Sequence, residues 1–386
     1  MKIYEKMLQM MRSKEALTKT HDVRTATETI QRTMQNFISG AGKTLPKSPF
    51  NSTNSTSSSF SSKTNSARSG IPSFVNDLLS GLGMDVGVNK NVFDDSFEPD
   101  ENKVDVSDGG RFINASYTHS AGSAHRYKLY IPSCYQGQSL PLIVMLHGCT
   151  QNPDDFAAGT GANALAEEHQ CFVVYPAQAP SANRSKCWNW FKTVDQERGQ
   201  GEPAMIAGLT KEIINTYNID KKQVYIAGLS AGGAMALVMA NTYSDIYSAA
   251  GIHSGLPYKA AQDVTSALTI MKSGKAPSNM PLSEKNIPLI VFHGDRDATV
   301  HPSHGEHIVK QSTIYNKEML VENGSVLNGY PYTRTMYHDH SGKVNLEYWQ
   351  IHGAGHAWSG GSSKGSYTDV KGPNATKEMI RFFLKQ

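Results

Sequence analysis

The stretch Val224-Tyr225-Ile226-Ala227-Gly228-Leu229-Ser230-Ala231-Gly232-Gly233 decides how the rest of the chain is read. Its first half is β-branched, aromatic and apolar, the composition of a buried strand. Its second half opens onto 231–243, where Met235, Leu237, Val238 and Met239 supply the apolar face of a helix. Between them stands Gly228-x-Ser230-x-Gly232, the spacing of a nucleophile elbow. In so tight a turn, side chains two residues either side of the serine collide with strand or helix. Glycine at both places removes the collision. Ser230 is therefore predicted to sit in strained backbone geometry, its hydroxyl exposed at the carboxyl edge of a sheet.

Outward from the elbow, strands and helices alternate. Strands are predicted at 112–118, 126–132, 142–147, 171–175, 249–253 and 289–293, and a hairpin at 332–338 and 345–351. Helices are predicted at 162–169, 202–217, from Pro302 onward and at 374–385. This alternation predicts an α/β fold, a mainly parallel sheet covered by helices on both faces.

In such sheets ligands bind beyond the carboxyl ends of the strands. After 142–147 comes Gly148-Cys149-Thr150, and the amides of Cys149 and Ala231 are the candidate oxyanion donors. After 289–293 comes Gly294-Asp295-Arg296-Asp297. Asp297 is the candidate to orient an imidazole; Asp295 is the alternative, or a brace of the loop. After 345–351 comes Gly353-Ala354-Gly355-His356, a glycine loop with a histidine near its tip. A serine hydroxyl needs a base, and the base an orienting acid. Ser230, Asp297 and His356 follow one another in the order of the α/β-hydrolase fold. His253 and His352, near strand ends, either support the site or are structural.

Trp190, in the aromatic loop Cys187-Trp188-Asn189-Trp190-Phe191, is expected to line a pocket. His301, His304 and His307 lack a complete ligand set and are expected as solvated histidines, so no metal and no organic cofactor is expected.

The 386-residue chain is 39% hydrophobic, with net charge +3 and pI about 8.5, too weak a bias to suggest nucleic acid. No run is long and apolar enough for a transmembrane segment. Residues 1–40 are expected to be a helical segment, and 41–110 a low-complexity linker with a short helix at 72–83. The catalytic domain is expected to occupy 111–386. The first residues carry no apolar leader, which predicts a cytoplasmic protein.

From about Arg111 onward the chain resembles the polyhydroxybutyrate depolymerase family of esterases, whose relatives include feruloyl and acetylxylan esterases. The resemblance lies in Leu146-His147-Gly148-Cys149-Thr150-Gln151, Ser185-Lys186-Cys187-Trp188-Asn189-Trp190-Phe191, Gly228-Leu229-Ser230-Ala231-Gly232-Gly233, His293-Gly294-Asp295-Arg296-Asp297 and Gly355-His356-Ala357-Trp358-Ser359-Gly360-Gly361. It implies an α/β-hydrolase fold and a serine esterase acting through an acyl-enzyme, with Ser230, Asp297 and His356 as triad. Within these stretches Trp190, Trp358 and Gln151 are the candidates for contact with substrate.

The implied substrate is a small or oligomeric carboxylic ester, such as a 3-hydroxyalkanoate oligomer, with a polyester granule surface as a further partner. Soluble esters, oligomers or amorphous polymer are expected rather than crystalline polymer. The alternatives are a non-catalytic granule- or partner-binding scaffold, a feruloyl- or acetylxylan-type esterase, and an acyltransferase on the same fold. An extracellular location would also fit the family. Cys149 and Cys187, both inside the resemblance, are expected as a packed thiol pair, with a bond between them on oxidation.

Overall fold

A computed structural model describes residues 109–118, 122–275, 277, 280–283, 287–312 and 318–386. The helices and linker expected before Gly109 lie outside the described residues. The described chain builds one ten-stranded sheet. Its strands are β1 (Arg111–Thr118), β2 (Ala124–Ile131), β3 (Leu140–Leu146), β4 (Phe172–Pro176), β5 (Ile219–Leu229), β6 (Ala249–His253), β7 (Leu289–Gly294), β8 (Glu318–Ser325), β9 (Pro331–His338) and β10 (Val344–Ile351).

The spatial order is β1-β2-β4-β3-β5-β6-β7-β10-β9-β8. All neighbours from β4 across to β10 pair in parallel. The antiparallel pairs β1–β2, β2–β4, β10–β9 and β9–β8 flank them. The elbow strand β5 lies near the middle, between β3 and β6.

Alternation along the central strands separates two cores, because successive strand side chains point to opposite faces. Leu142, Val144, Leu146, Val224 and Ile226 pack in one cluster, with α3 (Gly201–Thr216), α4 (Ala231–Thr242), α5 (Val264–Ser273) and α6 (Ser303–Ser312) contributing to it. Ile143, Met145, Tyr225 and Ala227 pack in the other, with α1 (Pro153–Thr160), α2 (Ala162–Glu168) and α7 (Ala375–Phe383).

Helix α1, helix α5 and strand β8 were not predicted, nor were the short helical turn Thr193–Gln196 and the paired two-residue strands Trp358–Ser359 and Thr368–Asp369. Helix α1 opens with Pro153 behind an Asn152 cap and closes at Gly161, where φ is +61°. Helix α5 starts from a reciprocal Asp263–Ser266 capping box and closes at Gly274, where φ is +63°. Strand β8 is almost wholly exposed, so it shows no inward–outward alternation to read. No helix of the described residues is long and apolar enough to cross a membrane.

Candidate active site

Ser230 follows β5 and precedes α4, at φ 58° and ψ −118°, a strained conformation for a residue with a Cβ. The flanking glycines are required by close backbone approach. A Cβ on Gly232 would lie 2.1 Å from the Leu146 carbonyl oxygen and 2.6 Å from that of His147. A Cβ on Gly228 would lie 2.4 Å from the Gly232 carbonyl. These obstacles are main chain and cannot swing aside. The Ser230 amide donates to the His253 carbonyl at 2.9 Å, which ties the elbow to the end of β6. The serine is 4% exposed.

The loops after β7 and β10 bring an acid and a base together. His356 Nδ1 lies 2.6 Å from Asp297 Oδ2. Asp297 Oδ1 accepts from the Thr299 amide at 2.9 Å and the Val300 amide at 2.8 Å. His293 Nε2 lies 3.4 Å from Asp297 Oδ2 and 3.0 Å from the Val300 carbonyl. Burial alone would raise the Asp297 pKa, but the His356 and His293 rings beside it hold it well below the usual carboxylate range. Ionised Asp297 fixes the His356 ring with Nδ1 toward the acid, so Nε2 faces the other way.

Ser230 and Ala231 meet a narrow cavity whose other walls are Cys149, Cys187, Trp190, Phe191, Leu256, Val264, Ala267 and Met271. It encloses about 10 Å³, the room of about one water. The amides of Cys149 and Ala231 donate to no group among the described residues. Cys149 and Cys187 are joined by a disulfide, their Cα atoms 4.2 Å apart, rather than lying side by side as thiols. The bond ties the turn after β3 to the aromatic loop.

Other candidate residues are placed differently. Trp358 does not line this cavity. It is 1% exposed, stacks on His253 with ring centroids 5.1 Å apart, and donates to Thr376 Oγ1 at 3.0 Å. It is a core residue, because its apolar ring and single donor are both satisfied in the interior. Gln151 does not face the cavity either. Its Oε1 accepts from the Gly148 amide at 2.9 Å, and its Nε2 donates to Asp155 Oδ2 at 2.9 Å and the Ser366 carbonyl at 3.1 Å. With both ends of the amide engaged, Gln151 braces the turn.

Asp295 accepts from the Gly353 amide at 2.7 Å and lies 3.0 Å from His352 Nδ1, bracing the loop that carries His356. His253 lies beneath the site: its Nε2 accepts from the Ser359 amide at 3.0 Å, and burial, with the His293 and His356 rings adding, pushes its pKa down to about 3. His304 is not solvated. It is fully buried, with Nε2 2.8 Å from the Ile270 carbonyl. Among the described residues no group of three or more His, Cys, Asp or Glu is placed to hold a metal.

Sequence reasoning missed the wall that α5 supplies through Val264, Ala267 and Met271. The signal was present in Asp263-x-x-Ser266, a capping box, and in Gly274 at the far end.

The family model described as esterase PHB depolymerase matches residues 125–330 of the chain. Among curated proteins, poly(3-hydroxyalkanoate) depolymerase C of Paucimonas lemoignei is 35% identical over 254 residues, covering 63% of this chain and 60% of the relative. The chain thus spans about 60% of that relative's length. Feruloyl esterase B of Neurospora crassa is 26% identical over 220 residues, covering 52% of this chain and 73% of the relative. Among solved structures, an acetyl xylan esterase from Aspergillus awamori superposes with TM-score 0.55 at 18% identity, over 71% of this chain and all of that one. That likeness carries the α/β-hydrolase fold.

Proposed function

Because the chain belongs to the PHB depolymerase family of esterases, we propose that it hydrolyses carboxylic esters through an acyl-enzyme on Ser230. One observation carries the reading. Ser230 opens onto the same cavity as two backbone residues, Cys149 and Ala231, whose amides have no other acceptor among the described residues.

In this reading His356 takes the Ser230 proton as Oγ bonds to the ester carbonyl carbon. Asp297 stabilises the imidazolium without accepting the proton itself. The carbonyl oxygen becomes an oxyanion between the Cys149 and Ala231 amides. Collapse breaks the bond to the leaving alcohol, which takes the proton from His356. Water then repeats the sequence on the acyl-enzyme, releasing the acid and regenerating Ser230.

The apolar side chains of Trp190, Phe191 and Met271 beside Ser230 favour a short aliphatic acyl group, for which the water-sized cavity must widen. The exposed Leu327 and Val370 offer apolar contact to a polyester granule. Leu327 lies in the β8–β9 turn, and Tyr330 of that turn donates to the carbonyl of Lys371, next to Val370. The disulfide favours work in an oxidising compartment rather than the cytoplasm.

The test is a fluorophosphonate label followed by an ester panel of p-nitrophenyl acetate, hydroxybutyrate oligomers and feruloyl esters. Labelling at Ser230 with turnover of short esters is expected. An enzyme that neither labels nor turns over any ester of the panel is not an esterase of this kind.

A further inference from the structure

Behind the oxyanion turn runs a line of hydrogen bonds that the proposed chemistry does not use. Glu202, in the first turn of α3, is buried among three donors. Its Oε1 accepts from Gln178 Nε2 and Asn189 Nδ2, both at 2.5 Å, and its Oε2 accepts from the Asn189 amide at 2.7 Å. Gln178 Nε2 also donates to the Cys187 carbonyl at 2.9 Å. The backbone amide of Gln178 donates to His147 Nε2 at 3.2 Å.

That last contact fixes a tautomer. With Nε2 accepting, the His147 proton sits on Nδ1, which donates to the Gly148 carbonyl at 2.7 Å. Burial pushes the His147 pKa down to about 4, so the ring stays neutral. In a trans peptide the carbonyl of Gly148 and the N–H of Cys149 point in opposite directions. Holding that carbonyl on His147 therefore aims the Cys149 N–H away from His147. Glu202 stands at the other end of this line.

We propose that Glu202 is a positioning residue for the Cys149 oxyanion donor, acting through Gln178 and His147, and that it clamps the aromatic pocket wall through Asn189. The inference rests on the esterase reading above. The same carboxylate grips both ends of the loop 178–189, so its contacts set the pocket wall and the oxyanion turn together.

The groups facing Glu202 make the clamp sensitive to pH. Asp195, in the short helical turn Thr193–Gln196, accepts from the Glu202 amide at 2.7 Å and feels Lys192 beyond it. Gln178 and Asn189 are neutral, and so is His147. Among the described residues no cation pairs with Glu202. Burial, reinforced by Asp195, pushes the Glu202 pKa up to about 7. Protonation places an O–H among three donors, and one contact must open.

The experiment uses Glu202→Gln in the full chain. Its amide keeps the shape but sets an NH₂ against a donor. The expected result is a kcat lower by roughly tenfold to a hundredfold, with KM for p-nitrophenyl acetate within about twofold. Affinity for a trifluoromethyl ketone, whose adduct carries an oxyanion, is expected to fall by the same factor. In a His356→Asn background, tryptophan fluorescence is expected to titrate near pH 7 and to lose that transition when Glu202→Gln is added. Gln178→Met, which breaks the same line without touching a charge, is expected to give the same kcat loss and serves if the first variant is insoluble. An unchanged kcat, a KM rise at constant kcat, or a fluorescence transition that survives Glu202→Gln overturns the proposal. Failure of the esterase reading shows separately, as wild-type protein that no fluorophosphonate labels; the fluorescence titration, which needs no ester, still reads the clamp.

Discussion

His356 Nδ1 lies 2.6 Å from an Asp297 oxygen, while the other oxygen of that carboxylate receives two backbone amides. The amides hold the carboxylate in one orientation, and the carboxylate holds the ring. Asp297→Asn would set an NH₂ against Nδ1 or force the wrong tautomer. It is expected to lower kcat by about 10⁴-fold. Asp295→Asn, which loosens only the brace on Gly353 and His352, is expected to cost less than about tenfold. Steady-state kinetics of the two variants compares them directly, and a larger loss at Asp295 would reverse the assignment.

Ser230→Ala is expected to abolish fluorophosphonate labelling and to reduce kcat by roughly three to six orders of magnitude. Far-ultraviolet circular dichroism should be unchanged, since alanine fits the turn that serine occupies. Label retained by the variant would mean that another residue is the nucleophile.

The disulfide closes a loop of sequence separation 38, for which chain entropy alone predicts about 4 kcal/mol of stabilisation. Cys187→Ser is expected to lower the urea midpoint and to weaken activity, because the aromatic loop and the turn after β3, the proposed oxyanion turn, are no longer tied. Thiol titration of the unfolded, unreduced wild type should find two free thiols of the four cysteines, Cys134 and Cys171. Four reactive thiols would show the bond absent.

Acid should destabilise the fold well before carboxylates of ordinary pKa titrate. Burial pushes the pKa values of His147 and His304 down to about 4, and that of His253 to about 3. Unfolded histidines titrate near 6.5, so below that pH the unfolded chain binds more protons and stability falls as pH falls. Glu202 acts in the opposite sense. Its folded pKa of about 7 exceeds the unfolded value, so its contribution is lost as pH rises through 7. Three histidines outweigh one carboxyl between about pH 4.5 and 6.5. Urea midpoints at pH 7.5, 6 and 4.5 should therefore decline in that order; a midpoint that rises on acidification would contradict the burial of these rings.

What the sequence made legible was whatever local sterics or apolar patterning dictates. Gly228 and Gly232 have one physical reason to be glycine, and the crowded carbonyls of Leu146 and Gly232 supply it. The central strands were readable because burial on both faces leaves continuous apolar runs. Trp358 and Gln151 were misread because the sequence does not say which way a side chain turns. Trp358 follows His356 by two residues yet points into the core, where Thr376 meets its indole. The α5 wall was legible and overlooked: Val264, Ala267, Leu268 and Met271 recur at helical spacing between the Asp263–Ser266 box and Gly274. Glu202 was read only as the start of an amphipathic helix. Its partners Gln178 and Asn189 come from a loop with no periodicity to reveal them.

The strand order places Asp297 and His356 after β7 and β10, which are hydrogen-bonded neighbours, whereas Ser230 follows β5, with β6 between. Mechanically, Asp297 and His356 ride on one plank of the sheet and Ser230, the proposed nucleophile, on another. The joint between them is β6, whose last carbonyl, on His253, receives the Ser230 amide at 2.9 Å, and whose following residue, Ser254, donates to Phe292 of β7 at 2.9 Å. Shear across that joint would misalign serine and imidazole while leaving the imidazole–carboxylate contact intact. Activity should thus be lost under mechanical or thermal stress before the Asp297–His356 pair separates, with β6 as the part that yields.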